Sequence, residues 1–170
     1  MSLERLWNGW RAGYVGQGNG QTPDPSKSVF TSILESGMTD EESHIVHRST
    51  RSFAILNAFP YASGHVLVLP YREVPNLEDL DQEESADLWN TVRDATIALR
   101  ASHHPDALNV GINLGAAAGG SIARHLHVHV VPRWNGDSNF MTAIAETRTI
   151  PEPLPLTARK VRDAWPKGAP

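Results

Sequence analysis

The chain has 170 residues, enough for one domain with a real core and too few for two comfortable ones. Its 15 Lys and Arg, scattered against 19 Asp and Glu for a formal charge of -4, exclude the basic face that general nucleic-acid coating needs. Cysteine is absent, which removes disulfides, thiolate metal sites and thiol catalysis, and no run approaches the ~18 apolar residues of a membrane span.

In chain order, residues 1–28 read as an N-terminal arm and flexible loop. The start, MSLERLWNGWRAGYV, has no apolar run behind a basic head, so a soluble cytoplasmic protein is expected. GQGNGQTPDPSKS (16–28) is too polar and too rich in Gly and Pro to repay its ordering entropy. Residues 29–150 form the candidate domain, and 151–170 a Pro-rich tail. FAILN and HVLVLP are short apolar runs separated by AFPYASG, whose Pro60 and Gly64 suit a turn, so two strands are expected there.

Leu80 to Arg100 reads as the one long helix, with Leu88, Val92, Ala95 and Leu99 on a 3.6-residue stripe and Trp89 beside it. Asp81 as N-cap with Glu84 three residues on predicts a capping box. LNVGINL predicts another strand, GAAAGGS a loop and HLHVHVV a further strand. IPEPLPL reads as extended, and LTARKVRDAW closes as a short helix. Strands joined mostly by short turns with one inserted helix indicate an α+β domain with an antiparallel sheet.

The stretch HLHVHVVPRW places three of the eight histidines at alternate positions. In a strand His125, His127 and His129 share one face, ~6 to 7 Å apart in succession, while Leu126, Val128 and Val130 share the other. A solvated face that happens to use His is a poor account of so scarce a residue. Two readings remain: a metal site needing a further ligand such as His65 or Glu73, and covalent catalysis by one imidazole with the others placing substrate and fixing tautomers. The preceding loop, with Gly115, Gly119, Gly120 and Ser121 around three alanines, decides between them. Small residues allow close backbone approach, and successive N–H groups hold an anion, so a phosphate beside a histidine row results. It is not a Walker loop, since no GK[ST] follows.

HLHVHVV matches the His-x-His-x-His pattern of the histidine triad (HIT) family of nucleotide hydrolases and transferases. ILNAFPYASGHVLVLP resembles the family's N-terminal half-site, with Asn57 eight residues before His65, and the resemblance spans residues 29–140. LERLW, NAFPYASGH, NVGINLGAAAGGSIARHLHVHVVPRW and GDSNF look closest to an actinobacterial branch with diadenosine tetraphosphate phosphorylase activity. The Gly120-Ser121 pair, where most of the family has Gln at the second position, and Trp134 favour that branch.

The resemblance implies a HIT-like α+β fold, an antiparallel sheet of about five strands with a long helix and a short C-terminal one. It implies a nucleotidyltransferase that phosphorolyses diadenosine tetraphosphate to ADP and ATP through a covalent His127-adenylate. Hydrolysis of dinucleoside polyphosphates or nucleoside phosphoramidates is the runner-up, and a non-catalytic adenine-nucleotide-binding module the alternative of another class. By similarity His127 is the nucleophile, His129 bonds a phosphate or bridging oxygen, and His125 supports the strand. Asn57 contacts the ribose or base side, His65 backs the triad, and Asn113, Gly120 and Ser121 hold phosphate oxygens. Trp134 is a substrate contact or a cap on the core. Partners implied are adenine nucleotides, inorganic phosphate and a second copy in a homodimer whose sheets join, with no nucleic acid and no membrane.

Many bacterial relatives hold a structural zinc through a Cys-x-x-Cys, a His after the HVLVLP-like strand and the first triad His. Here Ser28, Thr31 and Glu73 stand at those three upstream positions. Hydroxyls do not replace thiolates on zinc, so no cofactor and no structural metal are expected, and Mg2+ only as a companion of the nucleotide. The arm is then expected to be held by apolar packing of Leu6, Trp7, Val29 and Phe30. His103 and His104 are expected at the surface, His44 and His47 in an exposed turn or strand, and Arg124 and Arg133 at a solvated rim.

Overall fold

A computed structural model of the chain describes residues 26–118, 122–137 and 152–168. The elements run α1 (Val29–Glu35), α2 (Asp40–Ser43), β1 (Ile45–Arg48), β2 (Ser52–Leu56) and β3 (Val66–Pro70). A 3-10 turn (Leu77–Asp79), α3 (Gln82–His103), β4 (Ala107–Ile112), a second 3-10 turn (Ala116–Ala118), β5 (Val128–Arg133) and α4 (Leu154–Asp163) follow. The strands make one sheet in the order β1-β2-β3-β5-β4 with every neighbouring pair antiparallel, the α+β class expected.

Residues of β2 and β3 alternate between two apolar clusters. Ala54, Leu56, Val66 and Val68 join one with α3, and Phe53, Ile55, Leu67 and Leu69 join the other with Phe30 of α1. Both faces of these central strands are covered, which is why their sequences read as unbroken apolar runs. The long helix opens on Asp81, whose side chain accepts the Glu84 N–H at 2.8 Å while Glu84 accepts the Asp81 N–H at 3.0 Å. Leu88, Val92, Ala95 and Leu99 are buried as the stripe requires, and Trp89 is exposed.

Several local expectations change. The helix continues past Arg100 to His103, and His104 closes it in the left-handed region at φ 48°. His103 is not a surface residue: its side chain is 5% exposed and pairs with Glu152 at 3.0 Å. The long helix packs against α4, and Glu152, just ahead of α4, meets its last residue. IPEPLPL is not wholly extended, because the final helix begins at Leu154 and its early Pro costs no hydrogen bond in a first turn. Leu154, Ala158, Val161 and Trp165 then pack into the α3 cluster. His44 ends α2 in a left-handed turn and His47 lies on β1, the turn and strand expected, but both are half-buried rather than exposed, and His47 stacks on Trp165 at 4.6 Å.

Candidate active site

Pairing of β3 with β5 brings the two histidine-bearing segments together. Leu67 lies opposite His129, and His65, two residues before Leu67, shares its face, so the His65 ring reaches His129 on the diagonal. Their nitrogens, His65 Nε2 and His129 Nδ1, lie 2.9 Å apart. His65 Nδ1 accepts the Tyr61 N–H at 3.1 Å and faces Asn57 Nδ2 at 3.3 Å. An acceptor at Nδ1 places the His65 proton on Nε2, which donates to His129 Nδ1. The His129 proton is therefore on Nε2, a buried donor with no partner among the described residues.

His127 has the opposite tautomer. Its Nδ1 sits 2.8 Å from the His125 carbonyl, which can only accept, so Nδ1 carries the proton and Nε2 carries the lone pair. The two rings meet edge to face at 4.9 Å. One bare nitrogen and one N–H donor side by side are what attack on phosphorus beside a phosphate oxygen requires. Burial, together with the neighbouring His127, pushes His129 down to about 4, so near neutral pH it donates as a neutral imidazole.

His125 is fully buried and uses both nitrogens. Nε2 donates to the Pro70 carbonyl at 2.9 Å, which leaves Nδ1 to accept from Ser28 Oγ at 2.7 Å. Ser28 is also the N-cap of α1, accepting the Thr31 N–H at 3.1 Å. Glu73 Oε2 accepts from the Ser28 N–H at 2.9 Å and the Thr31 hydroxyl at 2.6 Å, while Glu73 Oε1 meets Arg124 at 2.6 Å. Although partial burial pushes Glu73 up, the Thr31 and Ser28 hydrogen bonds and the Arg124 cation hold it below the usual carboxylate range.

Ser28, Thr31, Glu73 and His125 thus converge from three parts of the chain, as the resemblance implied. Their chemistry does not fit zinc: two donors are neutral hydroxyls, the imidazole has no nitrogen to spare, and the carboxylate is engaged by a guanidinium. Among the described residues no group of three or more His, Cys, Asp or Glu is placed to hold a metal ion. Of the residues expected to hold the arm, Phe30 packs as expected and Val29 does not. Phe30 is buried against the rings of His125 and His127 at 5.7 and 5.9 Å, but Val29 is 49% exposed, and Leu6 and Trp7 lie outside the described residues.

Asn57 spends its carbonyl on the Phe59 N–H at 2.9 Å, which shapes the loop into β3. Asn113 follows the Ile112–Val128 pair of β4 and β5, a register position across from His127. Trp134 is half-buried just beyond β5, its N–H bonded to Asp137. Arg133 is tied to Asp137 and Asn109 and Arg124 to Glu73, so both arginines have structural partners. Gly120 and Ser121 lie outside the described residues. Sequence reasoning missed Tyr61 as a neighbour of the triad, and placed Ser28 beside His125 only through the resemblance. Tyr61 stands inside the quoted half-site, yet spacing along a loop does not say which way a ring points.

Residues 38–136 match the HIT domain family. An AP-4-A phosphorylase of Mycobacterium tuberculosis is 43% identical over 168 residues, covering 96% of this chain and 85% of that protein. The asymmetrical bis(5'-nucleosyl)-tetraphosphatase of Schizosaccharomyces pombe is 39% identical over 95 residues, 56% of this chain and 52% of its own length. Among solved structures, a zinc-bound histidine triad family protein from Mycobacterium smegmatis superposes with a TM-score of 0.67 at 29% identity, covering 82% of this chain and 93% of that one. A Hit-like protein from Bartonella henselae gives a TM-score of 0.67 at 26% identity, covering 85% of this chain and 99% of that one. The paired half-sites, the tautomer order they impose and these similarities converge on one conclusion: the chain belongs to the HIT, or histidine triad, family.

Proposed function

We propose that the protein is a nucleotidyltransferase that phosphorolyses diadenosine tetraphosphate to ADP and ATP. The near full-length similarity to the AP-4-A phosphorylase carries the substrate and reaction, and the opposed tautomers of His127 and His129 supply the chemistry. The His127 Nε2 lone pair forms a bond to the α-phosphorus as the bond from phosphorus to the bridging oxygen breaks, releasing ATP. His129 Nε2–H stabilises charge developing on the phosphate and departing oxygen. An oxygen of inorganic phosphate then attacks the adenylate, the N–P bond breaks and ADP leaves. Asn113 and the loop of Gly120 and Ser121 hold phosphate oxygens, and Asn57 and Trp134 contact the nucleoside.

Stability in this reading needs no structural zinc, because hydrogen bonds from Ser28 and Thr31 occupy the groups zinc would take. Metal analysis of the purified protein is expected to find none, and one tightly bound zinc per chain would overturn this point. The working unit is a homodimer in the cytoplasm, where its nucleotides are made. Edge strand β4 supports joining of two sheets: it pairs only with β5 among the described residues, and Val110 and Leu114 are exposed. No helix among the described residues is long and apolar enough to cross a membrane.

Chromatographic product analysis with diadenosine tetraphosphate, with and without inorganic phosphate, tests the reading. Phosphate-dependent ADP plus ATP is the expected result. AMP plus ATP, indifferent to phosphate, would make the protein a hydrolase like its fission-yeast relative.

A further inference from the structure

Helix α1 has seven residues, too few to stand by itself in water, so its place depends on what ties it down. Three of those ties meet at one carboxylate. Glu73 Oε2 accepts the Ser28 N–H at 2.9 Å and the Thr31 hydroxyl at 2.6 Å, and Glu73 Oε1 pairs with Arg124 Nε at 2.6 Å. Glu73 stands three residues beyond β3, whereas Arg124 immediately precedes His125. One side chain thus fastens α1 to the segment that leads into the histidine row. The Leu126 N–H, which reaches the Val74 carbonyl at 2.7 Å, continues the same seam.

What is held in this way bears on the nucleophile. Phe30, the second residue of α1, is buried with its ring 5.9 Å from that of His127. A second restraint on His127 is the bond from its Nδ1–H to the His125 carbonyl at 2.8 Å. Both lead back to Glu73, one through Ser28 and Thr31 and the other through Arg124, the chain neighbour of His125. A nucleophile must meet phosphorus in line, and a misplacement of ~1 Å costs about 10²-fold in rate.

We propose that Glu73 is a positioning residue for His127: by joining α1 to the entry of the histidine row, it holds the imidazole in the one orientation that presents a bare Nε2. The inference rests on the phosphorolysis reading above for the identity of the nucleophile. Glu73 acts through Phe30 and His125 and touches no substrate.

The test reads kcat and KM on diadenosine tetraphosphate with inorganic phosphate, beside the urea midpoint and the 15N shifts of the His127 ring in the substrate-free protein. Glu73→Ala is expected to lower kcat about 10- to 100-fold with KM little changed, and to turn the single Nδ1–H tautomer of His127 into a mixture. Glu73→Gln, whose carbonyl still accepts from Ser28 and Thr31, is expected to recover most of the loss. A lowered urea midpoint with wild-type kcat and ring shifts would overturn the proposal, since Glu73 would then only stabilise the fold. So would a raised KM at unchanged kcat, which would place Glu73 in substrate binding. Should Glu73→Ala not fold, Thr31→Val removes one of the two α1 bonds at nearly the same shape. It is expected to act in the same direction by a smaller factor, and wild-type kcat and ring shifts would again overturn the proposal. A wild-type protein that does not turn over diadenosine tetraphosphate would instead overturn the phosphorolysis reading, and the ring shifts, which need no turnover, would then decide the positioning of His127 alone.

Discussion

His65 and His129, 64 residues apart in the chain, are joined by a 2.9 Å hydrogen bond that sets which nitrogen of His129 faces substrate. Removing the donor leaves His129 Nδ1 able to take the proton itself. Substituting His65→Ala is expected to lower kcat roughly 10²-fold, the scale of a lost proton-ordering partner, with a smaller effect on KM. Steady-state kinetics, read beside the 15N shifts of the His129 ring, checks this: the proton should move from Nε2 towards a mixture of tautomers.

His127 presents its bare Nε2 because its other nitrogen is held by the His125 carbonyl at 2.8 Å. His127→Ala should abolish turnover by at least about 10³-fold, since no neighbouring group replaces a covalent nucleophile. Intact-mass analysis after an alkaline quench, in the absence of phosphate, should show a nucleotidyl adduct on the wild type and none on the variant. Retained nucleotide affinity with no wild-type turnover at all would point to the binding module instead.

Ser28 is both the α1 N-cap and the donor to buried His125, and is itself 2% exposed. Ser28→Ala removes a cap and strands an imidazole nitrogen, which together should destabilise by about 2 to 3 kcal/mol. Urea titration should show a lower midpoint at unchanged slope. An unchanged midpoint would mean that apolar packing by Phe30 alone holds α1.

Gly64 has φ of +82°, and a Cβ there would lie 3.1 Å from Leu99 Cδ2 and 3.2 Å from Pro132 Cγ. The left-handed backbone costs a side-chain residue about 1 to 2 kcal/mol, and the crowding adds to it. Gly64→Ala should therefore lower the thermal midpoint by several degrees, and, being next to His65, depress activity as well.

Stability should fall on acidification in two stages. Burial lowers His129 to about 4 from its ordinary value and lowers His103 too, so the unfolded chain binds more protons than the folded one as pH drops below ~6.5. The stabilisation is complete above that value and is lost as pH falls through the lowered folded values. Glu84, held at about 2 by the Arg72 hydrogen bonds and the Asp81 N–H, adds a loss between ~4.5 and 2. Urea midpoints across pH 8 to 3 should decline in this order, and Arg72→Ala should flatten only the more acidic stage.

Local patterns were legible without a structure wherever a residue's neighbours are its own segment. The Asp81–Glu84 capping box, the Leu88–Leu99 stripe and the single face shared by His127 and His129 all follow from spacing along one helix or strand. Those periodicities are properties of the backbone, so the sequence by itself determined the α+β class and, with the two half-site motifs, the family. Tertiary structure alone decided what lies across from what: that His65 donates to His129, that Ser28 rather than a metal meets His125, that His103 is buried and pairs with Glu152, and that Tyr61 lies flat beyond the triad. Strand register and loop direction arise from long-range pairing, and no spacing within one segment encodes the partner that another segment will bring.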